Sequence, residues 1–235
     1  MIKPILFNAD MVRSLLANRK TATRRVVKGY TLDHLELDTD GSIIGVYDQF
    51  EGCVRPVMDY APYRPSDILY VRETWAPLYP NESSNEVCGY IYKADPLSVE
   101  RYDARFPNGK DYQWEGRWRP SIHMPREAAR IFLRATDVRV ERLQDTFFER
   151  GSTIFSLRGE GIDIGEQCRE CIEAYGSPCC IDAESECGIL DEVRGGFSDL
   201  WDSTIKKKDR ALYGWAANPW VWVIEFEQIS REEAI

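Results

Sequence analysis

The residues best suited to chemistry lie close together near the start of the chain, in the run RKTATRR. Ammonium, guanidinium and hydroxyl groups are gathered there between Arg19 and Arg25. Such donors suit an anionic or nucleotide-like ligand, because phosphates and base edges are bound by cations and hydrogen-bond donors. The alternative is a solvated turn, in which Lys20 offsets the dipole at a helix end and the threonines are ordinary strand residues.

Side chains that can stack on a base lie further along the chain, at Tyr70, Trp75, Trp118 and His123. Trp118 and His123 belong to WRPSIHMP, a segment whose two prolines fix much of its backbone and make it a firm support for recognition. The alternatives are core packing for Trp75 and a local hydrogen bond for His123. For Trp220 and Trp222 we expect core packing, because their alternation indicates the inward face of a strand.

Glu73, in the run VRETW, is a further candidate for the site. On a strand it shares a face with Trp75 and is therefore expected to point inward. A buried carboxylate needs a cationic partner, which Arg25 or Lys20 could supply. Glu73 would then support the ligand pocket, and a direct chemical role stays open.

A helix followed by a strand must position the basic run. NADMVRSLLANRK predicts the helix, capped by Asp10 or Asn8 and ended by Asn18 in a left-handed conformation. TATRRVV predicts the strand, with Lys20 at the corner between the two elements. Alternate strand residues share a face, with Thr21, Thr23 and Arg25 on one face and Ala22 and Arg24 on the other.

Several further strands and few helices are predicted beyond this corner. The Asp-Gly turn of DTDGSIIGVYD indicates a hairpin over 38–48, and YAPYRPSDILYVRETW reads as a turn that leads into a strand. The run 126–143 is either a short helix followed by a strand or one long bent strand. An amphipathic helix is predicted over 197–205 and a half-buried strand over 218–229. This pattern is typical of an α+β fold in which a small β-barrel is flanked by helices.

The distribution of charge favours a confined site. The net charge is -9, yet residues 1–30 hold seven Lys or Arg and one Asp, whereas residues 160–199 hold eleven Asp or Glu and two Arg. A uniformly basic surface for tracking a nucleic-acid backbone is therefore excluded. MIKPILFNAD lacks the features of a signal peptide and no apolar run could span a membrane, so we expect a cytoplasmic protein without a membrane partner.

A cluster of cysteines indicates a metal site. Five of the seven cysteines fall in CRECIEAYGSPCCIDAESEC, at Cys168, Cys171, Cys179, Cys180 and Cys187. A Cys-x2-Cys start followed by nearby cysteines can close a tetrahedral zinc site, and clustered cysteines in the cytoplasm favour metal over disulfides. The expected role of the zinc is to fold the insertion. The alternative is a reduced or disulfide-bonded acidic insertion without metal.

Several segments together resemble the ASCH domain of the PUA-like superfamily, in its longer phage and prophage form. They are the helix with NRKTATRR, the strand YRPSDILYVRETW, the segment WRPSIHMPREAARIFLRATDVRVERLQD and the closing strand NPWVWVIEFE. The family motif Gly-x-Lys-Thr-x-Thr/Glu-x-Arg is matched at Lys20, Thr21, Thr23 and Arg25, with Asn18 in place of glycine. The resemblance implies one PUA-like barrel domain over 1–235, with an acidic, cysteine-rich insertion at about 160–195.

The resemblance also implies candidate catalytic residues. Some small ASCH members hydrolyse the amide of N4-acylated cytidine with a Lys, a Thr and a downstream Glu. Lys20 and Thr23 match the first two positions, and Glu160 falls roughly where the third is expected. Burial beside Arg24 and Arg25 would lower the pKa of Lys20, so that Lys20 could serve as the base while Thr23 is the nucleophile.

Three functions are consistent with these features. The first is recognition of RNA or of a modified base or nucleoside in a pocket lined by Lys20, Thr21, Thr23 and Arg25. The second is an amidohydrolase that acts on N4-acylated cytidine through Lys20, Thr23 and Glu160. The third is a phage interaction protein whose acidic segment, residues 163–192, binds a host partner in the host cytoplasm.

Overall fold

The computed structural model describes residues 2–80, 85–95, 116–145, 160 and 189–234. These residues form a mixed α+β structure with mostly strands and several helices, as the sequence predicts. The strands are β1 (Ile2–Leu6), β2 (Ala22–Val26), β3 (Leu35–Leu37), β4 (Ile43–Asp48), β5 (Cys53–Arg55), β6 (Ile68–Arg72), β7 (Trp75–Leu78), β8 (Gly89–Tyr92), β9 (Phe132–Arg142) and β10 (Trp220–Ile229). The helices are α1 (Ala9–Leu16), α2 (Tyr30–Asp33), α3 (Ile189–Thr204), α4 (Arg210–Tyr213) and α5 (Arg231–Ala234).

Two compact units alternate along the chain. The first consists of Met1–Asn18, Asp67–Arg134 and Glu227–Ile235, and the second of Arg19–Ser66 and Ala135–Phe226. Strands β9 and β10 each contribute residues to both units. No helix in the described part of the chain is long and apolar enough to cross a membrane.

The first unit contains the strand order β1-β6-β9 and a separate β7–β8 pair. β1 pairs with β6 in parallel, and β6 pairs with the start of β9 in antiparallel register. An apolar cluster covers these strands, formed by Trp75, Met124, Ala128, Ala129, Phe132, Ile229 and Ala234. The run 126–143 resolves into the first predicted alternative, a short 3-10 turn at Arg126–Ala128 followed by β9.

Helix α1 begins and ends as the sequence predicts. The Asn8 side chain caps it by accepting a hydrogen bond from the Met11 backbone N–H at 2.9 Å, so the cap is Asn8, and Asp10 lies within the first turn. At the other end Asn18 adopts a φ of 53°, the left-handed conformation that stops a helix. The chain therefore leaves α1 in a tight turn and enters the basic run immediately.

The second unit contains the strand order β9-β10-β2 and an antiparallel sheet of β3, β4 and β5. The Asp-Gly turn joins β3 to β4, with Gly41 at a φ of 85°. β2 pairs antiparallel with β10, from Val26 opposite Val221 to Ala22 opposite Glu225. The α3 side chains Phe197 and Trp201 pack on this sheet. The predicted amphipathic helix is thus confirmed.

Residues 221–224 of β10 are buried on both faces, which corrects the prediction of a half-buried strand for that part, whereas Glu225 and Glu227 flank the buried Phe226 in the predicted alternation. Val221, Trp222, Val223 and Ile224 are each at most 5% exposed. Val221 and Val223 pack against the aromatic side chains of α3, so the face opposite Trp222 is covered as well. Among the described strands, the pairings form open sheets, and a closed barrel therefore remains a prediction.

Candidate functional site

Two cations of the basic run converge on one carboxylate in the second unit. Lys20 Nζ donates to Glu160 Oε2 at 2.8 Å and to the Glu160 carbonyl oxygen at 3.0 Å. Arg24 Nη1 donates to Glu160 Oε1 at 2.7 Å. The side chains of Lys20, Arg24 and Glu160 are 0%, 2% and 7% exposed, respectively. The structure thus brings together Lys20 and Glu160, two of the three predicted catalytic residues.

Local geometry explains why both cations reach the same carboxylate. Residues two apart in an extended segment share a face, so Lys20, Ala22 and Arg24 line one side of the chain. Ala22, the residue between them on that side, carries only a methyl group. A backbone bridge between Lys20 and Glu160 then holds the two segments at a fixed distance.

The cluster continues outward along β9. Arg24 Nη2 donates to Glu141 Oε1 at 3.0 Å, and Arg139 Nε donates to Glu141 Oε2 at 3.3 Å. Arg139 Nη1 also donates to Asp137 at 2.7 Å and to Glu225 at 2.6 Å. Charges of opposite sign thus alternate from the buried Lys20 to the surface, where the Arg139 side chain is 40% exposed.

Burial and neighbouring charges act in opposite directions on the two ends of the Lys20–Glu160 pair. Burial lowers the pKa of Lys20, and the charges of Arg25 and Arg24 lower it further, whereas Glu160 opposes them. Burial alone would raise the pKa of Glu160, but Lys20 and Arg24 outweigh it and hold that pKa below its ordinary value. Glu160 is therefore a carboxylate at neutral pH, and the Lys20 ammonium is easier to deprotonate than an exposed one.

The other residues of the basic run lie in different surroundings. The Thr23 side chain is buried, and its hydroxyl has no hydrogen-bond partner within the described portion of the chain. Arg25 is partly buried; burial lowers the pKa of its guanidinium, and the charge of Glu160 opposes that shift. Thr21 is exposed, and its carbonyl accepts a hydrogen bond from Phe226. Burial of both Thr23 and Arg24 means that β2, like β10, is covered on both faces.

Glu73 lies in the first unit and is buried, as predicted, but its partner is Arg130. Arg130 Nε and Nη2 donate to the two Glu73 oxygens at 2.9 and 3.0 Å, where the sequence argument expected Arg25 or Lys20. Arg130 Nη1 also donates to Asp95 at 2.7 Å, and its guanidinium lies 3.9 Å from the centre of the Tyr92 ring. Burial raises the pKa of Glu73 despite the bidentate partner.

The predicted stacking residues also lie in the first unit, and they differ in exposure. Trp75 is part of the apolar core, which matches the core-packing alternative, and its indole N–H has no partner among the described residues. Trp118 is partly buried against Ala76, Leu78 and Ile91. His123 is exposed, in a short 3-10 turn.

Sequence reasoning missed the residues that complete both clusters. Glu141 and Arg139 belong to β9, where Asp137, Arg139 and Glu141 alternate in charge at the two-residue spacing of one strand face. That spacing is a readable signal for an ion-pair row. Arg130 and Asp95 gave no comparable local signal, because their contact with Glu73 joins segments that are distant in sequence.

The predicted zinc ligands lie outside the described residues. Cys168, Cys171, Cys179, Cys180 and Cys187 all belong to this part of the chain, as does most of the acidic segment 163–192. Within the described ranges, no group of three or more His, Cys, Asp or Glu residues is arranged to hold a metal ion. Zinc binding and a role for the acidic segment therefore stay predictions from sequence.

Comparison of the chain with protein-family models, with curated proteins and with solved structures gives no match. Function must therefore be inferred from the arrangement of side chains and from the motif in the basic run.

Proposed function

We propose that the chain binds a modified pyrimidine nucleoside at the Lys20 corner and hydrolyses its N-acyl amide bond. The observation that carries the proposal is the buried pair of Lys20 and Glu160, whose charged atoms are 2.8 Å apart. The motif at Lys20, Thr21, Thr23 and Arg25, which resembles that of ASCH domains, supports the same chemistry. The PUA-like barrel that this resemblance implies is part of the proposal.

The chemistry needs a nucleophile and a base. The Thr23 hydroxyl attacks the amide carbonyl carbon, and neutral Lys20, which lies on the other side of the extended segment, takes the hydroxyl proton through one water molecule. The amine of the nucleobase leaves with that proton, which Lys20 returns to it. Water then hydrolyses the acyl-threonine ester and regenerates Thr23. Glu160 assists by orienting the Lys20 amine, while Arg25 supplies positive charge to a developing oxyanion.

The state of Thr23 and Lys20 in the structure supports these roles. A buried hydroxyl without a protein partner among the described residues is unusual, because such groups normally find one. A substrate carbonyl or water would satisfy it. The lowered pKa of Lys20 reduces the cost of forming the neutral amine at neutral pH.

Recognition without turnover is the second candidate function. Both Glu160 oxygens already accept hydrogen bonds, and Lys20 also donates to the Glu160 carbonyl. Such bonds hold charges in place, as a rigid recognition site requires. Donors on the basic run would then read the edge of a modified base or an RNA nucleotide.

The test is incubation of the protein with N4-acetylcytidine, followed by chromatographic measurement of cytidine and acetate. Thr23→Val is the key variant, because it removes the hydroxyl and keeps the shape of the side chain. Loss of product with Thr23→Val and with Lys20→Ala, together with residual product with Thr23→Ser, is the expected result.

Failure of the wild-type protein to release cytidine would reject the hydrolase. Binding of the same nucleoside, measured by equilibrium dialysis, would then favour recognition, provided that Lys20→Ala abolishes it. Absence of both turnover and binding would reject a site for this nucleoside at Lys20.

A further inference from the structure

Arg24 is bonded to two carboxylates at once. One terminal nitrogen donates to Glu160 at 2.7 Å and the other to Glu141 at 3.0 Å, and the residue is 3% exposed. Glu141, with a side chain 19% exposed, also accepts a hydrogen bond from Arg139. Glu141 therefore joins the buried charges to those at the surface.

We propose that Arg24 and Glu141 are positioning residues that fix Glu160 against Lys20 and set how readily Lys20 gives up its proton. Arg24 lies in the basic run at an unspecified position of the family motif, and Glu141 lies outside that run. The inference deepens the proposed function and rests on it for the catalytic meaning of Lys20. The effect on the Lys20 proton itself can be measured without a substrate.

Among the described residues, titratable groups from four segments act on Lys20 directly or through a neighbour. Glu160 favours the ammonium form, whereas Arg24 and Arg25 of β2 disfavour it. Tyr63 acts on Arg25, and Glu141 of β9 bonds to Arg24. Glu141 and Glu160 both accept hydrogen bonds from Arg24. Glu141 therefore weakens the attraction of Arg24 for Glu160, the carboxylate that stabilises the Lys20 ammonium.

This arrangement predicts opposite effects for the two positioning residues. In Glu141→Gln, the charge of Arg24 is no longer offset and Arg24 binds Glu160 more strongly. Lys20 should then lose its proton at a lower pH, by about half a pH unit. In Arg24→Met a cation near Lys20 is removed, and Glu160 loses one of its two hydrogen-bonded cations. Lys20 should then lose its proton at a higher pH.

The measurement is the pH titration of the Lys20 side chain by NMR, using protein labelled with ¹³C at the lysine ε-carbon. The chain has eight lysines, and the resonance absent from Lys20→Arg identifies Lys20. The control variant is Glu225→Gln, which removes another carboxylate from Arg139 but none from Arg24. Circular dichroism of every variant confirms that the fold is retained.

A downward shift in Glu141→Gln, an upward shift in Arg24→Met and none in Glu225→Gln are expected. Equal titration of Lys20 in wild type, Glu141→Gln and Glu225→Gln would overturn the inference, even if the wild type hydrolyses N4-acetylcytidine. Conversely, the expected shifts without any hydrolysis would support the positioning role and reject the hydrolase. In an active enzyme, Glu141→Gln should move the pH profile of kcat while KM changes little.

Discussion

The two units each contain a buried ion cluster, and the central charges of the two clusters are opposite in sign. In the first unit one cation, Arg130, lies between two carboxylates, Glu73 and Asp95. In the second unit one carboxylate, Glu160, lies between two cations, Lys20 and Arg24. The charges of these three residues sum to minus one in the first cluster and to plus one in the second, where Glu141 also pairs with Arg24.

The difference between the clusters indicates different uses. Arg130 binds Glu73 through a planar, bidentate contact and stacks on Tyr92, an arrangement typical of a structural clamp. In the second cluster the flexible ammonium of Lys20 provides the titratable cation. Lysine changes its protonation readily when buried, whereas arginine does not. The second cluster is therefore the one suited to proton transfer.

Removal of the shared central charge should have the largest effect in each cluster. Arg130→Met removes the cation that Glu73 and Asp95 share, and Glu160→Gln removes the anion that Lys20 and Arg24 share. Each change should lower the free energy of unfolding by about 3–5 kcal/mol at pH 7. Urea unfolding followed by tryptophan fluorescence measures it. A loss below about 1 kcal/mol in either variant would mean that its cluster is open to water.

The pH dependence of the same two variants should have opposite signs. In Arg130→Met the Glu73 pKa, already raised, rises further, so the native state binds protons more tightly than the unfolded chain and stability falls as pH rises. In Glu160→Gln the lowered pKa of Lys20 falls further below its pKa in the unfolded chain. The native state then binds this proton more weakly, so stability decreases as pH falls below the pKa of the unfolded chain and recovers as pH rises. Unfolding measured between pH 5 and about 9 tests this. Equal slopes in the two variants would contradict the charge assignment.

Much of this comparison could be anticipated from sequence where the signals are local. The Asn8 cap, the left-handed Asn18 and the strand that begins at Ala22 follow from residue types within a few positions. Burial of residues 221–224 on both faces of β10 could also be predicted from the sequence, since Val221 and Val223 are as apolar as Trp222 and Ile224. The alternating charges of Asp137, Arg139 and Glu141 indicated one polar strand face.

The long-range contacts could not be derived in this way. Glu160 meets Lys20 across 140 residues, and Glu73 meets Arg130 across 57. No periodicity of the sequence specifies which carboxylate a buried cation will meet, because that depends on how distant strands pair. Only the family resemblance singled out Glu160. It gave no equivalent guide for Glu73, whose partner was assigned wrongly to the basic run.

The outer carboxylates should matter less than the central charges, and Asp95 should matter more than Glu141. Asp95→Asn removes a partner whose side chain is 3% exposed, whereas the Glu141 side chain is 19% exposed. We expect losses of about 1–2 kcal/mol for Asp95→Asn and about 0.5–1 kcal/mol for Glu141→Gln. Both are measured by urea unfolding at pH 7. Removal of Asp95 should also lower the pKa of Glu73, since its charge contributes to the raised value.

The smallest effects are expected from ion pairs at the surface of the two units. Arg134 pairs with Glu227 in the first unit at 2.8 Å, and Arg139 pairs with Asp137 in the second at 2.7 Å. These distances equal those of the buried pairs, but all four side chains are at least 38% exposed. Double-mutant cycles should give coupling energies of about 0–1 kcal/mol that decrease with added salt, because water screens both pairs. A surface coupling as large as the loss in Glu160→Gln would show that contact distance, rather than burial, sets the strength of the ion pairs in this protein.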